Sequence, residues 1–207
     1  AHEKGKMIDG NRAGDGQGPI SPNRSGDLCV DDVIKCIKKG ISPDEAKDYA
    51  SSKGGLLAWC GTDDLREVKA MIANGDKKAE LVYNTMIYSM GKWTAMMAGA
   101  LKGKVDAILL TGGMARDTEL CDKLAEYISW IAPIYNYAGS FETEALGFGA
   151  IRVLKGDEEA KTYTGKPVWN VFPWDKESTY NDTGGGEKYG STGVYGRTYE
   201  RCLPNNV

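Results

Sequence analysis

The stretch Val105-Asp-Ala-Ile-Leu-Leu-Thr-Gly-Gly-Met-Ala-Arg-Asp117 constrains the fold of this chain more than any other. Val105, Ala107, Ile108, Leu109 and Leu110 form a near-continuous apolar run, the pattern of a strand covered on both faces in an α/β sheet. The run breaks at Gly112 and Gly113 and leads straight into a helical pattern from Thr118 to Trp130. Two absent Cβ atoms allow unusual dihedrals and let a flat or anionic ligand approach the backbone. The N-terminal N–H groups of the following helix point to the same place. A glycine pair also serves as a plain tight strand-to-helix turn, and the local pattern leaves these two readings even.

The rest of the chain sets the scale. Its 207 residues hold one substantial core with room for an appendage, and 41% hydrophobic and 27% charged residues are ordinary for a globular protein. No apolar run approaches the roughly 20 residues that span a bilayer, and the N-terminus has no signal-peptide pattern. A net charge of −3 argues against a nucleic-acid partner held on a broad basic face. Cys29, Cys36, Cys60, Cys121 and Cys202 are scattered without CxxC spacing, which points to reduced thiols and a cytoplasmic location. His2 is the single histidine, so a Ser-His-Asp triad or a multi-histidine metal site is not expected.

Along the chain, Lys4-Gly5-Lys6 reads as a hairpin turn whose first strand is mostly absent, the mark of a domain truncated at its N-terminus. A Gly- and Pro-rich loop, Arg12 to Pro22, follows. Asp27 to Lys39 has helical spacing through Val30, Val33, Ile34 and Ile37, with Gly40 as its stop. Ser42-Pro43-Asp44-Glu45 is a capping box opening a helix to about Ser52. Gly55 to Cys60 is a brief apolar stretch, and a helix from Asp64 to Ala73 comes after it. The longest helix, Asp76 to Leu101, carries an apolar stripe through Ala79, Tyr83, Met86, Ile87, Met90 and Met97, read as a core face. Ile131 to Tyr137 is a second strand and Glu142 to Leu154 a closing helix. From residue 165 to 207 the composition shifts to Gly, Tyr, Thr and Asn without apolar periodicity, which predicts a partly disordered tail pinned at Trp169, Phe172 and Trp174.

Five segments, in order, carry a resemblance: Gly5 to Asp9, Asp15 to Gly26, Lys53 to Trp59 with Gly61 to Val68, Leu101 to Gly113, and Glu142 to Leu154. Together they resemble the C-terminal half of butyrate kinase and its relative acetate kinase, in the acetate and sugar kinase, Hsp70 and actin superfamily. The resemblance covers most of residues 1–163. It implies an α/β fold, a mixed sheet flanked by helices of the ribonuclease H-like, actin-like ATPase type, with residues 1–164 as the C-terminal nucleotide-binding domain. The implied activity is reversible phosphoryl transfer between ATP and butanoate or a related short-chain carboxylate, with Mg²⁺. The N-terminal half of such a kinase is missing, so the isolated chain is expected to be inactive; a homo-oligomer is a further possible partner state.

The resemblance also distributes roles. Thr111, Gly112, Gly113 and Met114 fall on the adenosine motif, and Asp64, Leu65 and Arg66 on the adenine and ribose contacts. Arg24 matches an arginine that touches the transferred phosphoryl group, where a guanidinium fork suits the equatorial oxygens. Glu142 matches a carboxylate near Mg²⁺, with Glu144 as runner-up. Plainer readings stand beside each: Asp63 and Asp64 as helix caps, Arg24 as a solvated loop charge, and Glu142 as an acid favoured by the helix dipole. His2 has no assigned role. A competing function is a non-catalytic nucleotide-binding or interaction module of the same fold.

Overall fold

The computed structural model describes residues 1–160 and residue 162, so the tail of residues 165–207 lies outside the described residues. The chain divides into two compact units, residues 11–139 and a second built from residues 1–10 and the segment from Ser140 onward.

The larger unit is built on α5, Lys77–Ala100, the longest helix. Asp76 starts it by accepting from the N–H groups of Lys78 and Ala79, which relieves two donors that the first turn cannot satisfy internally. Its stripe buries Ala79, Tyr83, Met86 and Ile87 as the sequence predicts. Against them pack Leu56 from α3 (Gly55–Cys60), Val68 from α4 (Leu65–Ala73), and Leu120, Leu124 and Ile128 from α6 (Thr118–Ile128). The brief apolar stretch after Lys53 is thus a single short helix.

Two strands, β3 (Ile108–Gly112) and β4 (Ile134–Ala138), pair in parallel from Ile108 opposite Ile134 to Gly112 opposite Ala138. Ile108, Leu110 and Ile134 face the helical core. The opposite face, with Leu109 63% and Tyr135 51% exposed, is open to solvent. Among the described residues of this unit only the α5–α6 side of the strand is lined, and Leu109 alternates outward.

Two further helices, α1 (Val30–Lys38) and α2 (Pro43–Ser51), lie outside this core. The Ser42 capping box is present, with Ser42 Oγ accepting from Glu45 N at 3.2 Å and Ser42 N donating to the Glu45 carboxylate at 3.0 Å. The α1 helix starts three residues later than its pattern suggests, because the Asp27 carboxylate accepts from Gly18 N in the preceding loop. None of its residues is buried, and Val30 is 74% exposed. Its apolar spacing is real, but among the described residues no layer buries it fully.

In the smaller unit, β1 (His2–Glu3) and β2 (Lys6–Met7) form the expected antiparallel hairpin around Lys4 and Gly5. The closing helix α7, Glu142–Lys155, ends at Gly156.

Candidate functional site

The loop that presents Arg24 is fixed by its own carbonyl groups. At the start of α3, Leu57 N donates to Pro22 O at 2.9 Å and Leu56 N to Ser21 O at 3.4 Å. Gly54 N donates to Asn23 O at 3.0 Å and Ser25 N to Ala50 O at 3.2 Å. The orphan donors of a helix N-terminus are thereby spent on the loop. Ser89 Oγ, on α5, accepts from Ile20 N at 2.9 Å and ties down the other end. Gly54 and Gly55 are what allow so close an approach. A Cβ on Gly55 would lie 1.9 Å from Ser21 O, and one on Gly54 would lie 2.4 Å from Ser25 N. Arg24 is half-buried, and its Nε is shut off from solvent with no hydrogen-bond acceptor among the described residues. A buried charged donor without a partner is costly and calls for an explanation.

Asp64 caps α4. Its carboxylate accepts from Arg66 N at 2.9 Å and from Arg66 Nε at 2.9 and 3.1 Å, and also pairs with Arg66 Nη2. The Arg66 guanidinium holds that carboxyl down at about 2. Asp64 is therefore a cap, as the plainer reading has it, and its acceptor capacity is largely taken by Arg66. The guanidinium itself lies in solvent, with a flat face available for stacking. The Leu65 side chain packs against the core, so it has only backbone to offer a ligand.

After β3 the chain does not enter a helix directly. Gly112 has φ +88°, and Gly113, at φ −64°, opens a 3₁₀ turn over Met114–Arg116. Only then does Asp117 cap α6, accepting from Leu120 N at 3.3 Å. The dihedral demand of the turn thus sits on Gly112, and the α6 N-terminus already holds a carboxylate. Among the described residues, nothing lies within 4 Å of where Cβ atoms of Gly112 and Gly113 would project. Thr111 is exposed, whereas Met114 packs on the core.

A charged cluster that sequence reasoning missed joins these segments. Lys69 Nζ reaches Asp117 at 2.8 Å and Glu119 at 3.0 Å. Lys123 pairs with Glu119 at 3.1 Å and lies 5.2 Å from the Tyr83 ring centroid, while Tyr83 Oη donates to Asp117 at 3.5 Å. Burial raises the Asp117 carboxyl, but Lys69 and the Leu120 N–H outweigh it, and the net shift is downward. The Tyr83 phenol is pushed up to about 12, by burial and then by the Asp117 charge. Lys69 is raised by hydrogen bonds to Asp117 and Glu119. Asp117-Thr-Glu carries a legible cap signal, but nothing local announces a lysine 48 residues earlier.

Glu142 belongs to the smaller unit. It opens α7, is exposed, and accepts from Ser140 Oγ, which lowers its carboxyl below the usual glutamate range. Among the described residues no group of three or more acidic, histidine or cysteine side chains converges as a metal cage. One ionised, solvent-facing carboxylate does fit Mg²⁺, which takes few protein ligands and keeps waters and phosphate oxygens.

A cavity of about 570 Å³ lies behind the Arg24 loop, between α1, α2, α3 and α5. Its lining includes Ile20, Ser25, Gly54 and Gly55 but none of residues 64–66 or 111–114.

The fold is acetate kinase-like, with its parallel strand pair lined by helices on the α5–α6 side. Acetate kinase from Porphyromonas gingivalis superposes with a TM-score of 0.62 at 19% identity, covering 67% of this chain and 41% of that one. Residues 15–130 match the acetokinase family, and the chain belongs to that family. It is 43% identical over 164 residues to a probable butyrate kinase of Clostridium botulinum (strain Eklund 17B / Type B), covering 79% of this chain and 46% of the relative. Butyrate kinase 2 of Clostridium acetobutylicum is likewise 43% identical over 164 residues, with the same coverage. The chain thus spans about half the length of the curated relatives it matches. The family match includes Arg24, residues 64–66 and residues 111–114; Glu142 lies beyond it. No helix of the described residues is long and apolar enough to cross a membrane.

Proposed function

We propose that this chain carries the nucleotide side of a butyrate kinase-type carboxylate kinase, with residues 1–164 as the functional domain. A carboxylate oxygen of butanoate, or of a related short-chain acid, attacks the γ-phosphorus of ATP. The bond from γ-phosphorus to the β–γ bridging oxygen breaks, and acyl phosphate and ADP result; the reverse transfer uses the same groups. The observation that supports this most is the buried, unpartnered Nε of Arg24 on a loop fixed from both sides. Phosphoryl transfer needs positioning and charge stabilisation at the equatorial oxygens, and a guanidinium supplies both.

The open backbone at Gly112 and Gly113, with Thr111 and Met114, seats the nucleoside, and the Arg66 plane stacks on the base. Asp64 acts chiefly by holding Arg66. Glu142 is the residue that would hold Mg²⁺, which when bound neutralises charge on the phosphate oxygens. The relatives carry further chain outside the matched 46% of their length, and the carboxylate pocket and remaining phosphate contacts are assigned there.

The 207-residue chain is therefore expected to bind ADP without forming acyl phosphate from ATP, Mg²⁺ and butanoate. Mixing it with the complementary half of a relative should restore turnover, and Arg24→Lys should lower that turnover at least ~100-fold, as loss of a transition-state donor does. Calorimetry with ADP and trapping of acyl phosphate as hydroxamate measure the two parts. Absence of ADP binding would remove the nucleotide assignment. Binding without turnover in any mixture would favour a non-catalytic nucleotide module.

A further inference from the structure

Asp64 to Arg66 and Thr111 to Met114 lie more than forty residues apart in sequence, and one ammonium ties their neighbourhoods together. Lys69 is one turn along α4 from Leu65. Its Nζ sits between the Asp117 and Glu119 carboxylates, at 2.8 and 3.0 Å. Asp117 is itself fixed to the Gly-Gly turn, since its backbone N donates to Met114 O at 3.0 Å, and to α6, through its bond from Leu120 N. From the third helix, Tyr83 is buried in the core and directs its hydroxyl to the same carboxylate. Leu65 and Met114 both pack on the core cluster, which holds each segment inward, but apolar contact is non-directional and constrains sliding along the surface less than a directional tie does. The ion pair opposes that sliding. The Asp117 side chain is 16% exposed, so the pair is partly desolvated. Such pairs add little net stability, and their best-attested use is to fix register.

We propose that Lys69 and Asp117 form a positioning pair, setting the register between the first turn of α4, with Asp64 and Arg66, and the Gly112–Met114 turn. Its consequence for nucleotide affinity rests on the reading of those two segments as the nucleotide seat. Neither residue touches the nucleotide; each acts through the backbone it holds.

The test uses the full 207-residue chain and four variants: Lys69→Met, Asp117→Ser, the double variant and Lys69→Arg. Serine at 117 keeps a side-chain cap for α6 while removing the charge. The first readout is amide hydrogen exchange without nucleotide. Each single variant should speed exchange at Arg116 and Asp117 about tenfold and leave the α5 amides unchanged, the signature of local rather than global opening. The second readout is ADP affinity, which should fall about tenfold in each single variant. The double variant should be no worse than either single, and Lys69→Arg should recover most of the loss. Unchanged exchange at 116 and 117, an equal rise through α5, or additive losses in the double variant would each overturn the positioning role. If the parent chain binds no ADP, the nucleotide reading falls, and exchange alone still decides whether the pair sets the register.

Discussion

The Arg24 loop and the segments at residues 64–66 and 112–114 differ in how much of their anchoring comes from charge. The loop is fastened backbone to backbone, by carbonyls meeting the amides of Gly54, Leu56 and Leu57 across two glycines without room for a Cβ. The Gly112 turn also has backbone bonds, Gly112 N donating to Gly139 O at 2.9 Å and Gly139 N to Gly112 O at 3.1 Å. But the Asp64–Arg66 and Gly112–Met114 segments carry side-chain charge ties as well, through Asp64 with Arg66 and Lys69 with Asp117 and Glu119. Backbone fastening is indifferent to pH and salt but intolerant of added atoms. Charge fastening tolerates added atoms but depends on ionisation. Under the proposed function, this contrast would put the stiff element at the phosphoryl end and the adjustable one at the base.

The largest effect should come from challenging the stiff side. Gly55→Ala places a Cβ 1.9 Å from a backbone oxygen, at φ +61°, and backbone cannot step aside as a flexible side chain can. The variant should lose about 3 kcal/mol or more of stability in urea denaturation, the range of overpacking combined with strain at a special dihedral. A loss below about 1 kcal/mol would mean that the loop has slack and that the contrast is overstated.

Arg24 gives the next largest effect, with the opposite sign. A buried donor without an acceptor costs on the order of 1–3 kcal/mol. Arg24→Met keeps the apolar stem and removes that cost. The chain by itself should therefore gain about 1 kcal/mol of stability, while its mixture with the complementary half of a relative should lose phosphoryl transfer, a trade common at functional sites. A net loss of stability would show that the guanidinium earns its place structurally and would weaken its assignment to the phosphoryl group.

The adjustable side should respond to pH. The Asp117 and Glu119 carboxyls are lowered in the folded chain, so their contribution is present above the ordinary values of 3.8 and 4.5. It drains away as pH falls through the lowered folded values. Lys69 and Tyr83 are raised, so their contribution is intact below 10.5 and 10.0 respectively. It is lost at higher pH, for Tyr83 as the medium approaches about 12. Lys69→Met should thus cost about 1 kcal/mol at pH 7, and the melting curves of variant and parent should converge as the pH falls through the lowered carboxyl values of Asp117 and Glu119. Parallel curves across the whole range would show that the pair contributes nothing ionic.

Sequence alone goes far toward the fold because much of it is local. Ser42, Asp64 and Asp76 start helices as caps, and the first half of the α5 stripe is the core. Periodicity, however, reports which face a helix offers and not whether anything covers it. The α1 pattern therefore predicts a helix correctly, although that helix buries nothing. Leu109 is exposed for the same reason: its apolar neighbours cannot say on which side a helical layer lies. In the candidate site, the Gly-Gly pair falls at the turn after β3 and Asp64 at the start of α4. The Lys69–Asp117 bond is hidden because it joins residues 48 apart, and the 3₁₀ turn between Gly113 and Asp117 has no strong residue signature.

The smallest expected effect separates the two glycines that the sequence treats as a pair. Gly112 holds φ +88°, which a Cβ makes unfavourable, so Gly112→Ala should cost about 1 kcal/mol or more. Gly113 is at φ −64° with nothing within 4 Å of a built Cβ, and alanine fits there without strain. Gly113→Ala should leave stability unchanged or raise it by about 0.4–1 kcal/mol, because it narrows the unfolded ensemble. That near-silence makes position 113 the cleaner probe of a ligand. Gly113→Val adds branched bulk only to the open space before the turn, so weaker ADP binding in a variant that melts like the parent would report contact with nucleotide. An unchanged affinity would remove the Gly-Gly turn from the nucleotide seat and leave Arg66 as its remaining anchor.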